Sequence, residues 1–153
     1  MQLTQYTDYS LRVLIYLALK PKRFATITEV SDFYAISRNH LVKVVHNLSI
    51  GGFIHTIRGK YGGMTLVKSP EAITIGSVVR ATESNFHIAE CFNREKNTCV
   101  ITPACRLREI LNEAASGFLA LLDRYTLADA ITGPGLAAIL SQPRPPLPAN
   151  LQN

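Results

Sequence analysis

The sequence predicts a mainly α fold with a small β-hairpin wing: a winged helix-turn-helix followed by a long dimerisation helix. Three observations predict it. Apolar residues recur at helical spacing through the first fifty residues, interrupted by short polar connections. Two short β-like runs then flank a glycine-rich basic tip. From Pro103 a single amphipathic pattern runs to about Tyr125.

Leu11, Leu14, Ile15, Ala18 and Leu19 share one helical face, which predicts a first helix ending at Lys20-Pro21. Thr28 is placed to cap a second helix reaching about Tyr34, with Val30 and Phe33 inward. Ala35-Ile36-Ser37 makes a tight connection. Ser37 is a good cap for a third helix, Arg38 to Ile50, whose Leu41, Val44, Val45 and Leu48 form one apolar stripe. Gly51-Gly52 stops it.

The β-like runs are Phe53 to Ile57 and Met64 to Lys68. Between them Arg58-Gly59-Lys60-Tyr61-Gly62-Gly63 makes a flexible cationic hairpin tip. Ile75 to about Glu83 reads as a further short helix. Residues 1–83 thus form the winged helix-turn-helix domain. Residues 84–102 show no period and read as a loop that binds a cofactor.

Thr102-Pro103 is a helix-start signal, with proline at the first helical position. In the helix that follows, Leu107, Ile110, Leu111, Ala114, Phe118, Leu121, Leu122 and Tyr125 form a heptad-like seam. Packing on its own domain and packing on a partner helix both fit that seam. Thr126 to Ala130 reads as a further turn, making 103–131 the dimerisation region. Residues 132–153 read as a disordered tail, with four prolines in the last twelve residues.

The chain has 153 residues, a hydrophobic content of 47% and a formal net charge of +5. From Phe33 to Pro70 there is no Asp or Glu, while Arg38, Lys43, Arg58, Lys60 and Lys68 fall inside. A basic stretch spanning several elements suits a polyanion. In a winged helix-turn-helix the second helix of the motif enters the major groove with its early residues at base edges. Here those residues are Ser37, Arg38, Asn39, His40 and Lys43, with Arg58 and Lys60 on the wing. Arginine pairs with guanine and asparagine with adenine. Double-stranded operator DNA is therefore the expected partner.

The three cysteines, Cys91, Cys99 and Cys105, fall within fifteen residues, spaced C-x7-C-x5-C. Three thiolates can hold an iron–sulfur cluster or a zinc ion, and each usually takes four ligands. With Thr102 as cap, Cys105 falls at the third helical position. There, free N–H groups and the helix dipole favour an anionic ligand. Arg106 and Arg108 add positive charge nearby. His87 offers a Cys3His zinc alternative, though the spacing lacks a C-x2-C knuckle. No export signal precedes the first helix and no apolar run is long enough to span a bilayer. A cytosolic, non-membrane protein is expected. No catalytic triad, P-loop or dinucleotide fingerprint is present, so no enzyme is expected.

Four stretches resemble the NsrR/IscR-type family of iron–sulfur winged-helix transcription regulators. They are Leu3-Thr4-Gln5-Tyr6-Thr7-Asp8-Tyr9-Ser10-Leu11-Arg12, Ile36 to Lys43, the wing from Arg58 to Gly63, and Ile101 to Leu107. The likeness spans roughly Met1 to Ala130 and is greatest to the nitric-oxide-sensing branch. It implies a homodimer with crossing C-terminal helices. It implies that Cys91, Cys99 and Cys105 of one subunit hold a cluster, [4Fe-4S] or [2Fe-2S], with the four-iron form preferred. Asp8 of the partner subunit would complete the ligand set. It also implies a repressor that loses operator affinity when its cluster is nitrosylated. Regulators of that family that sense cluster supply carry a histidine where this chain has Arg108, which argues against that branch. A cluster-supply or redox-sensing regulator is the alternative within the family. A zinc- or thiol-based redox protein without a DNA role is the alternative outside it.

Overall fold

The computed structural model describes residues 2–20, 24–59, 61–133 and 135–141. Helix α1 spans Gln5–Ala18, α2 Ile27–Tyr34 and α3 Arg38–Ile50. Strands β1 (Ile54–Ile57) and β2 (Gly63–Leu66) follow, then α4 (Ile75–Thr82), α5 (Arg106–Asp123), α6 (Leu127–Ile131) and α7 (Leu136–Ser141). This is the expected mainly helical winged architecture.

Each helix start has a local cause. Thr4 caps α1, its hydroxyl accepting from the Thr7 N–H at 3.2 Å. Helix α2 begins two residues earlier than Thr28 would place it. Thr26 is the cap, and a reciprocal bond with Glu29 closes a capping box. Ser37 caps α3 as expected, accepting from the His40 N–H at 3.3 Å. Between α2 and α3, Ala35 takes a left-handed conformation at φ 58°. The Ser31 hydroxyl locks this turn by donating to the Ile36 carbonyl at 2.7 Å.

The core lies where α1, α2, α3 and the hairpin meet. Val13, Leu14 and Leu17 of α1 pack with Val30, Leu41, Val44, Leu48, Ile54 and Met64. The strands pair antiparallel, Ile54 opposite Leu66 and Ile57 opposite Gly63. The segment before α2 adds an edge, because Ala25 and Met64 exchange both backbone bonds, at 3.0 and 2.8 Å. Gly62 is required at the wing: a Cβ there would stand 2.2 Å from the Ile57 carbonyl oxygen.

The C-terminal region departs from expectation in two places. Thr126 to Ala130 does not prolong α5. A second capping box, Thr126 with Asp129, opens α6 instead. Helix α6 folds back so that Leu127 is fully buried with Ile73 and Val78. Two backbone bonds seal that return: Ile75 N–H to the Tyr125 carbonyl and Leu127 N–H to the Ile73 carbonyl, both 2.8 Å. Within the stretch expected to be structureless, residues 136–141 form α7. The proline-rich segment 142–153 lies outside the described residues.

Helix α5 touches the winged body chiefly through α4. Arg80 donates from both terminal guanidinium nitrogens to the Asp123 carboxylate. Not one residue of α5 is buried, although its pattern is amphipathic. Leu107, Ile110 and Leu121 are 61%, 49% and 49% exposed.

Candidate functional site

Two groups of side chains were expected to carry function, and the fold places them on different elements. Arg38, Asn39, His40 and Lys43 are all exposed on the first turns of α3, opposite the buried stripe of Leu41, Val44, Val45 and Leu48. Ser37 is also exposed, its hydroxyl engaged in capping. Arg58 is exposed at the end of β1. Lys60 lies outside the described residues.

On α1, Asp8 is held by Arg12 one turn later. Arg12 donates from Nε to Asp8 Oδ1 at 3.1 Å and pairs its terminal nitrogen with Oδ2 at 2.7 Å. The carboxylate therefore faces a guanidinium, not the free N–H groups at the helix start. Sequence reasoning missed Arg12, although its position four residues after Asp8 is the signal for such a pair. The Arg12 guanidinium also lies 5.9 Å from the ring centres of Tyr9 and Tyr34. Burial pushes the Tyr34 hydroxyl up to about 12, against the pull of Arg12. Tyr9 in turn meets His40 of α3, with ring centres 6.1 Å apart. A line of contacts thus runs from Asp8 through Arg12 and Tyr9 to the exposed face of α3.

The cysteine segment holds no α-helix or strand, and short turns shape it. Cys91 sits in a 3-10 turn, Glu90–Phe92, and its carbonyl accepts from Arg108 Nε at 3.3 Å. Glu90 closes the first gap. One carboxylate oxygen accepts from the Thr98 N–H at 2.6 Å and from the Thr98 hydroxyl at 2.7 Å. Those bonds hold the Glu90 carboxyl below the usual carboxylate range. Thr102–Ala104 forms a second 3-10 turn, so Cys105 is the cap residue of α5, not its third helical residue. Thr102 instead opens that 3-10 turn, three residues ahead of the α5 cap, with its hydroxyl donating to the Cys99 carbonyl at 2.8 Å.

All three thiols are free. Cys91 and Cys105 are half-buried and Cys99 is exposed. Among the described residues, no three His, Cys, Asp or Glu side chains converge to hold a metal ion. His87 does not join the cysteines. It lines an open cleft of about 460 Å³ with Thr4, Glu83, Phe86 and Phe118. The donors fit a thiophilic metal centre in kind, being three unpaired thiols on one turn-rich segment. In number they leave it short.

Where that segment begins, Glu83 ties α4 to the start of α1. Its Oε1 accepts from the Thr4 N–H at 2.7 Å and the Thr4 hydroxyl at 3.0 Å. Burial pulls the Glu83 carboxyl up, but the hydrogen bonds from Thr7 and Thr4 together hold it below its ordinary range. Among the described residues no helix is long and apolar enough to cross a membrane.

Known proteins resemble this chain in sequence and in fold. Regulators named HTH-type transcriptional regulator NsrR are similar over most of the chain. The one from Shouchella clausii is 54% identical over 132 residues, 86% of this chain and 89% of its own. The one from Bacillus subtilis is 52% identical over 132 residues, 86% of this chain and 90% of its own. Among solved structures, CymR, the global cysteine regulator of B. subtilis, superposes with a TM-score of 0.70 at 27% identity. It covers 86% of this chain and 97% of CymR. IscR of T. potens matches at TM-score 0.69 and 17% identity, covering 86% of each chain, and shows the same fold. The profile of one family, described as Iron-dependent Transcriptional regulator, matches residues 3–133. The chain belongs to that family, Rrf2, and is a DNA-binding transcriptional regulator with a winged helix-turn-helix.

Proposed function

We propose that this chain is a cytosolic, homodimeric repressor that depends on an iron–sulfur cluster and releases operator DNA in response to nitric oxide. One observation carries the reading. Three free thiols lie on a turn-rich segment leading into α5, a helix whose apolar face its own chain covers only in part. A second copy would supply both what α5 lacks and the ligand the thiols lack. The similarity to NsrR regulators supports nitric oxide as the signal.

Cys91, Cys99 and Cys105 would hold the cluster, with Asp8 of the partner subunit as the fourth ligand. Bound there, the cluster would supply iron that reacts with nitric oxide. The remaining work belongs to the chain. Arg12 holds Asp8 in place, and an oxygen donor is a weaker partner than thiolate for a soft centre. Asp8 bears on α3 through Arg12, Tyr9 and His40, so a change at Asp8 reaches the recognition helix. Two recognition helices must lie about one DNA turn apart, roughly 34 Å, to meet successive major grooves. Small shifts of α1 and α3 in each subunit therefore alter affinity. Arg38, Asn39, His40 and Lys43 would face the major groove, Arg58 and Lys60 on the wing would reach a minor groove or the backbone, and Ser37 would set the angle of α3.

The test is anaerobic preparation of the full chain and of Cys91→Ala, Cys99→Ala and Cys105→Ala. The wild type should carry iron and acid-labile sulfide, and each variant should lose the visible absorption. Zinc in place of iron in the wild type would overturn the reading.

A further inference from the structure

Helix α3 carries an apolar residue where a polar one is expected. Val42, Lys43 and His46 lie three, four and seven residues after Asn39, so the four share the surface opposite the buried stripe. All four are exposed, and Val42 keeps 52% of its surface open. Nothing in the core claims this side chain. As a β-branched residue in a helix it has one strongly preferred rotamer, so its methyl groups are fixed in place. Ile50, the other exposed aliphatic of α3, lies two turns further on, away from the end that meets bases.

The surroundings limit what this face can meet. No carboxylate occurs from Phe33 to Pro70, and Val42 is flanked by Arg38, Asn39 and Lys43. That charge suits DNA. The one apolar feature a base edge offers in the major groove is the thymine 5-methyl group, and small aliphatic side chains recognise it by contact.

We propose that Val42 is a specificity-determining residue that reads the 5-methyl group of a thymine. The proposal rests on α3 being the recognition helix and names one base that it selects. Val42 would discriminate thymine from cytosine and uracil, beside the hydrogen-bonding contacts of Arg38 and Asn39.

Deoxyuridine tests this directly, because it removes the methyl and leaves the pairing edge intact. Duplexes are first selected from a random pool by the anaerobically prepared full chain. Each thymine of the selected site is then replaced in turn by deoxyuridine. One position should weaken binding about fourfold, the worth of one buried methyl. In Val42→Ala the thymine duplex should bind more weakly and the thymine-to-deoxyuridine ratio at that position should fall to about one. Val42 is exposed, so the variant should keep the wild-type far-ultraviolet circular dichroism. No deoxyuridine-sensitive position, or an unchanged ratio in Val42→Ala, overturns the proposal while DNA binding stands. Failure to select any duplex overturns the recognition role of α3 and this proposal with it.

Discussion

Changing Gly76 to alanine tests whether α5 is seated on α4 as closely as the structure shows. Gly76 is buried in the first turn of α4. A Cβ there would lie 2.0 Å from Asp123 Oδ1, 2.8 Å from its Cγ and 2.9 Å from its backbone nitrogen. Rotating the Asp123 side chain relieves the first two contacts at the expense of the Arg80 pair. That pair is about two-fifths exposed and screened by solvent, so its loss adds little. The third contact is with backbone, and only a shift of α5 relieves it. Overpacking of this kind costs about 1–3 kcal/mol. Alanine returns up to about 1 kcal/mol of helix propensity. The expected net loss is about 1–2 kcal/mol. With a urea slope of about 2 kcal/mol per M, the unfolding midpoint falls by roughly 0.5–1 M at fixed protein concentration. Asp123→Ala should cost no more than the ion pair. The double variant should recover only part of the loss, because the backbone contact remains. A Gly76→Ala protein more stable than wild type, as at an open helical glycine, would refute the close approach.

Other predictions follow from the same geometry. Ile110→Lys together with Leu121→Lys should give a folded monomer by sizing and circular dichroism, since neither side chain belongs to the core of its own chain. Alanine at Arg38 or Asn39 should cost operator affinity about 1–3 kcal/mol and relax sequence preference, whereas Arg58→Ala or Lys60→Ala should weaken all sequences alike in salt-dependent titrations. Because the Glu83 carboxyl is held below its ordinary range, it contributes stability above that range, which is lost as pH falls through its folded value. Glu83→Gln should therefore lower stability at neutral pH and flatten the acid limb of the unfolding profile below about pH 5. In a mixed dimer with Asp8→Ala in one subunit and no cysteines in the other, the cluster spectrum should match wild type. A spectrum like that of the Asp8→Ala homodimer would place the ligand within one subunit.

The winged body was legible because its signals are local. Ser37, the Leu41-Val44-Val45-Leu48 stripe and Gly51 bound α3 where sequence places it. Apolar runs around a glycine-rich tip gave the hairpin within a residue or two. Misreadings arose where two residues compete for one role. Thr26 and Thr28 can each cap, and only Thr26 has Glu at the third helical position to close the box. Thr126 with Asp129 is the same signal, and it separates α6 from α5. At Cys105, Thr102-Pro103 does start a helix, but it is a one-turn 3-10 helix that ends at Ala104, and the extended backbone of Cys105 separates it from α5. The Gly76–Asp123 approach and the Thr4–Glu83 bond join residues far apart in the chain, and no periodicity reports such contacts.

In the proposed mechanism one site controls the other, the cysteine segment setting how tightly α3 and the wing hold DNA. The measurement that tests it most directly is operator affinity of the anaerobic protein during stepwise addition of nitric oxide, with the visible spectrum recorded in the same samples. Iron–sulfur absorption and operator affinity should fall together. Affinity that stays constant while the absorption is lost would contradict it.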